Sequence, residues 1–346
     1  MTNGELDEAL LRLHETGPEF AGWLSNHGPM VAEAMVRRGH GAAVHRWLDG
    51  YLTRLDQAPL ALDRIEADDW REALGDPTRL GDWRQFLLNE LTEQAWPTVL
   101  ATWWPRLLPG IAASATHGVI RTGHAVQGLR SGATPARVAE LGHALAYWAA
   151  RWQPVPTAAP VGALAAASAL AEVPRVPRQD GGINARLEQL GELDGFVPAL
   201  AALRPASGRA EVATRLAEVV AAATRAFLTY ERDGNIMLIH AATAPAAVLR
   251  TLPALPAQLW QPSLDAAWAA SAALVAAYAG PQTPPPAPPE PVPDGDDAAA
   301  EVFARAVEHG DEHVVKFADT AADVHFRDGD PAALAAALWA VRSVPG

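Results

Sequence analysis

The chain has 346 residues, 49% of them hydrophobic and 19% charged, with a formal net charge of −13. That balance suits a folded chain with a sizeable core, and its acidity argues against nucleic acid as the main partner. There is no cysteine, which excludes disulfides, thiolate metal sites and cysteine nucleophiles.

In chain order, the opening MTNGELDEALLRLHETG lacks the basic and apolar regions of a signal peptide. No apolar stretch is long enough to span a bilayer. The expectation is a cytoplasmic protein with no membrane partner. GPMVAEAMVRRGH (28–40) reads as a helix opened by Pro29, whose missing N–H costs nothing at a helix start. Helical spacing of apolar residues continues over 42–55 and over 81–96, where Asp82 is the expected N-cap, and then over 109–129, 134–152, 208–231 and 262–280. Strand-like alternation is scarce and no repeat of 20–50 residues is present. The fold class expected is all-α, a single large helical-bundle domain over 1–346. GPQTPPPAPPEPVPDGD (280–296) contains eight prolines and is expected to be an extended surface loop. The 297–346 segment is too short for its own core, so it should return as helices packed on the bundle.

Of 27 basic residues, 26 are arginine and one is lysine, Lys316 in EHVVKFADT. Where charge alone matters this sequence uses arginine, so the lysine raises a chemical question. Of the eleven histidines, His14, His40, His45, His309 and His325 have charged or glycine-rich neighbours and are expected to be solvated or capping. His143 is expected in the core. His27, His117, His240 and His313 lie in or beside apolar helical sequence, where an unpaired imidazole is costly. Either a shared metal or separate backbone carbonyls would satisfy them. His124 follows His117 by seven residues, nearly on one helix face with Arg121. It could be a ligand, a support for one, or a substrate contact. His313 and Lys316 are neighbours on a helix surface.

Four blocks, SNHGPMVAEAMVRRG, THGVIRTGHAV, IHAATAPAAVLRTLP and DEHVVKFADTA, spread over residues 25–321, resemble the questin oxidase-like family, whose best-known members act on fungal anthraquinones and related polyketides. The resemblance implies an all-α protein with one non-haem Fe(II), held by His27, His117, His240, His313 and an N-carboxylated Lys316, with 297–346 supplying part of the ligand set. The residues agree chemically. An ammonium has no lone pair, but a buried lysine loses its proton and can add CO₂ to form a carbamate, which arginine cannot do. Five protein ligands leave one position for O₂, so no 2-oxoglutarate is expected. The expected partners are O₂ and a hydroxylated polycyclic aromatic, undergoing oxidative C–C cleavage or Baeyer–Villiger-like ring opening. Arg121 and His124 are the catalytic candidates, Arg121 to orient a phenolate or carboxylate. Trp23, Trp103 and Trp104 are candidates to wall the pocket, and Asn26, Glu312 and Asp319 to steady the histidines. No GxGxxG fingerprint or P-loop is present. Two alternatives stand: a metal-free lyase using Lys316 as a Schiff base, and a non-catalytic helical binder of an aromatic metabolite.

Overall fold

The computed structural model describes residues 3–231, 234–280 and 291–346. The fold is all-α: the described residues form sixteen α-helices, several short 3₁₀ turns and one minimal hairpin. The chain divides into two compact units, residues 1–154 with 250–256, and residues 155–249 with 257–346.

The first unit holds α1 (Asn3–Leu13), α2 (Gly28–Arg37), α3 (Gly41–Tyr51), α4 (Leu80–Glu93), α5 (Trp96–Leu107), α6 (His117–Ser131) and α7 (Pro135–Ala150). A hairpin of β1 (Glu19–Phe20) and β2 (Leu24–Ser25) precedes α2. Helix α7 lies against both α4 and α6, and α6 against α2. Prolines sit in the first turns of α2, α5 and α7, where the absent N–H removes no helical bond. Thr134 caps α7 by accepting from Arg137 N at 3.3 Å.

Among the boundaries that differ from the sequence reading are two helix starts. Asp82 is not the cap of α4. The helix starts two residues earlier, behind a 3₁₀ turn (Pro77–Arg79) that Asp76 caps. Asp82 instead accepts from the backbone of Leu62 at 2.7 Å and Asp63 at 3.0 Å, and from Arg79 Nε at 2.5 Å, so it anchors the preceding loop. The helix expected over 109–129 begins only at His117, because Ser114, Ala115 and Thr116 all have positive φ (46°, 56° and 72°). Three left-handed residues in succession cannot belong to a right-handed helix.

The second unit holds α8 (Ala166–Ala171), α9 (Ile183–Leu187), α10 (Phe196–Ala201), α11 (Arg209–Tyr230), α12 (Met237–Thr251, its last two residues in the first unit), α13 (Trp260–Tyr278), α14 (Ala298–His309), α15 (Glu312–Asp328) and α16 (Pro331–Ser343). The long, alanine-rich α11 packs on α8, α13, α15 and α16, and α14, α15 and α16 pack on one another. The C-terminal helices are thus integral to this unit. Ser271 Oγ donates to Ala241 O, tying α13 to α12. Gly310 and Gly329 end α14 and α15 in the left-handed conformation that glycine adopts without penalty. Most of the proline-rich 280–296 stretch, residues 281–290, lies outside the described residues. Among the described residues, no helix is long and apolar enough to cross a membrane.

Candidate metal centre

In the first unit, His27 occupies the N-cap position of α2. The chain is fixed on both sides of it. Asn26 donates to Thr16 Oγ1 and Gly17 O and accepts from Gly28 N at 2.9 Å, so its amide serves the backbone around His27 rather than the imidazole. The His27 N–H donates to Tyr51 Oη at 2.6 Å. Ser25 Oγ lies 2.7 Å from Tyr147 Oη, which also reaches Glu19 at 3.1 Å. Burial and the Glu19 charge raise Tyr147, keeping the phenol neutral.

The buried His27 and His117 rings meet edge to face, centroids 4.6 Å apart, with Nε2 atoms separated by 2.7 Å. His117 Nδ1 lies 2.5 Å from Ser114 O. A carbonyl only accepts, so Nδ1 carries the proton and Nε2 of the neutral ring presents a lone pair toward His27. The 2.7 Å separation is near the roughly 3 Å expected between two nitrogens at right angles on a metal with bonds of about 2.1 Å. The left-handed turn supplies the carbonyl that sets this tautomer, a common arrangement behind metal-ligating histidines. Just beyond His117, Gly118 lets α6 approach α7: a Cβ there would lie 2.8 Å from the Trp148 Cβ.

Further along α6, Arg121 donates to Glu140 through Nε at 2.6 Å and Nη2 at 2.9 Å, both side chains 3% exposed. His14 Nε2 lies 3.0 Å from Glu140 Oε2, the oxygen that Arg121 Nη2 also reaches, and its ring stacks on His143 at 4.3 Å. His14 is therefore not the solvated residue its neighbours suggested, because its partners come from α7. Against the cost of burial, the Arg121 charge, its hydrogen bonds and His14 bring the Glu140 carboxyl down to about 2. Burial, with His14 nearby, keeps the core residue His143 well below the usual histidine range. His124 Nδ1 lies 2.7 Å from Glu33 Oε2, and its Nε2 lies 3.4 Å from Arg250 Nη1. Arg121 and His124 thus sit in buried charge networks, each with a carboxylate partner on a neighbouring helix. Trp23 is 66% exposed beside the hairpin. Trp103 is buried edge-to-face among Trp70, Trp83 and Phe86, and Trp104 meets Trp148.

In the second unit, α12 carries His240, and α15 carries His313 and Lys316. All three are buried, and the two imidazole centroids are 5.4 Å apart. Asp311 caps α15 by accepting from His313 N at 2.8 Å and Val314 N at 3.1 Å, with Oδ1 3.6 Å from His313 Nδ1. Burial lowers His313, and Asp311 opposes that shift. Glu312 and Asp319 are buried on the same helix. Lys316 is 0% exposed, and its Nζ has no hydrogen-bond partner among the described residues. Burial pushes its amine down to about 7, against the pull of Glu312 and Asp311. An Nζ buried without a hydrogen-bond partner among the described residues is an exception to the rule that buried polar groups are hydrogen-bonded.

Sequence reasoning missed Asp311, Glu33, Glu140 and the Ser114–Thr116 turn. Asp311, just ahead of an apolar helical run, was legible as an N-cap. Glu33 and Glu140 stand as lone carboxylates among apolar neighbours, which signals buried partners without naming them.

In this all-α chain the first unit faces two imidazole nitrogens together, and the second buries an amine, without a hydrogen-bond partner among the described residues, one turn from a histidine. The questin oxidase-like family model matches residues 42–321, and the chain belongs to that family. The matched span contains His117, His240, His313 and Lys316; His27 precedes it. Membership implies an oxidoreductase, an oxygenase of polyketide metabolism. No curated protein matches the chain.

Proposed function

We propose that the protein is a non-haem iron oxygenase acting on a hydroxylated polycyclic aromatic, an anthraquinone-like polyketide intermediate, by oxidative C–C cleavage or Baeyer–Villiger-like ring opening. His27, His117, His240, His313 and an N-carboxylated Lys316 would hold one Fe(II). The observation that carries this reading is Lys316: the chain's single lysine, wholly buried, its Nζ without a hydrogen-bond partner among the described residues. A neutral amine in that setting adds CO₂, forming an N–C bond and releasing one proton, and the carbamate oxygen is a hard anionic ligand suited to ferrous iron.

When bound, the iron would supply the redox chemistry that activates O₂. The chain's residues do the rest. Ser114 O holds the His117 proton on Nδ1 and keeps Nε2 a donor. Asp311 fixes the start of α15 and with it His313 and Lys316. Arg121 and His124 hold α6 through Glu140 and Glu33, and the buried surroundings exclude bulk water. Five protein ligands leave no room for a chelating co-substrate, so the reaction needs no 2-oxoglutarate. The reading places the enzyme in the cytoplasm, with neither nucleic acid nor membrane as partner.

Iron analysis after anaerobic reconstitution in bicarbonate tests it. The expected content is about one equivalent for wild type and near zero for Lys316→Arg, since guanidinium supplies charge but no ligand. Wild type below about a tenth of an equivalent refutes the reading. The same buried amine also suits a Schiff-base lyase, which borohydride would trap as a covalent substrate adduct in metal-free protein.

A further inference from the structure

Thr116 stands at the N-cap position of α6, next to His117. Threonine is a good N-cap when its backbone is extended and its hydroxyl accepts from the first turn. Neither condition holds here. Its φ is 72° with ψ 3°, its side chain makes no capping bond, and the residue is 1% exposed with Oγ1 unpartnered among the described residues. A β-branched residue at positive φ is a conformational outlier. Ser114 and Ala115 share that left-handed conformation, and none of the three is glycine. The stretch therefore forgoes a cap, places a β-branched residue where it is strained, and buries a hydroxyl that no described protein group satisfies. Strain and an unsatisfied polar group together, beside a candidate metal ligand, are what ligand-contacting positions show.

We propose that Thr116 is a catalytic residue whose hydroxyl hydrogen-bonds an oxygen, phenolic or carbonyl, of the bound aromatic substrate beside His117. The identity of the ligand rests on the oxygenase reading; the assignment of Thr116 rests on its own geometry. A hydroxyl at this position would distinguish ring systems oxygenated at the contacted carbon from those that are not, making Thr116 a determinant of specificity as well as of binding.

The test compares wild type, Thr116→Val and Thr116→Ser, full length, metal-free and iron-loaded. Affinity for 1,8-dihydroxyanthraquinone is read from tryptophan quenching, alongside Tm and iron content. Valine keeps the shape and the β-branch and removes only the hydroxyl. The expected result is weaker binding of the probe by about 3- to 10-fold in Thr116→Val, the loss of one hydrogen bond, with affinity restored in Thr116→Ser. Metal-free Thr116→Val should melt at or roughly 2–4 °C above wild type, because an unsatisfied buried hydroxyl has been removed. Iron content should not change. A Thr116→Val protein with lower Tm and unchanged affinity overturns the proposal, as does lost iron in that variant or a wild type that does not bind the probe. Failure of wild type to hold iron would instead refute the oxygenase reading, while the binding and melting measurements on metal-free protein still decide Thr116.

Discussion

Replacing Glu140 by glutamine tests whether the charge network behind the His117 helix is structural. The carboxylate is 3% exposed and receives two bonds from Arg121 and one from His14. Its carboxyl falls from 4.5 to about 2 on folding. At about 1.4 kcal/mol for each tenfold change in proton affinity, that drop is worth roughly 3 kcal/mol. Removing one partner of a buried ion pair costs about 3–5 kcal/mol, so two routes agree. The sign follows from a folded pKa below the unfolded one: the stabilisation is complete above pH 4.5 and lost as pH falls from 4.5 toward 2. Urea denaturation at pH 7 should find Glu140→Gln less stable by about 3 kcal/mol, and the gap should close as the medium is acidified through that window. The Arg121→Met, Glu140→Leu double variant should recover much of the loss, because no buried charge is then left alone. A gap under about 1 kcal/mol at pH 7, or one that does not depend on pH, would show that solvent screens the pair and that the argument is wrong.

Lys316→Met removes the amine but keeps an unbranched apolar side chain. It should fold with a Tm no lower than metal-free wild type while binding no iron, and retained iron would sink the carbamate assignment. Gly118→Ala would place a Cβ 2.8 Å from the Trp148 Cβ. Thermal denaturation should show a loss of about 1–3 kcal/mol, with weaker iron retention against a chelator as α6 shifts. Asp311→Ala removes the cap of α15 and should cost about 1 kcal/mol, whereas Asp311→Asn keeps a capping oxygen and should cost little, as read by urea midpoints.

The helices were legible because their apolar residues recur at helical spacing and prolines mark their starts, as at Pro29. The start of α6 was not: a left-handed turn normally announces itself with glycine, and here serine, alanine and threonine adopt it. The histidines were legible as a set because imidazoles are rare within apolar sequence. Their supporting groups were hidden by distance along the chain. Glu33 is 91 residues from His124, and Glu140 is 126 from His14. Arg121 read as a group to orient a phenolate or carboxylate, and its protein partner Glu140 lies on the next helix, 19 residues on. Pairings of that kind are decided by packing, which no local window contains.

The single lysine has a practical consequence. Because the only ε-amino group in 346 residues is 0% exposed, amine-directed reagents should modify the folded chain only at its α-amino group. Acylation of Lys316 would require the second unit to open, so the rate at which an amine-reactive probe reaches it measures that opening directly, and CO₂ itself must arrive either through the same fluctuation or before the helices close.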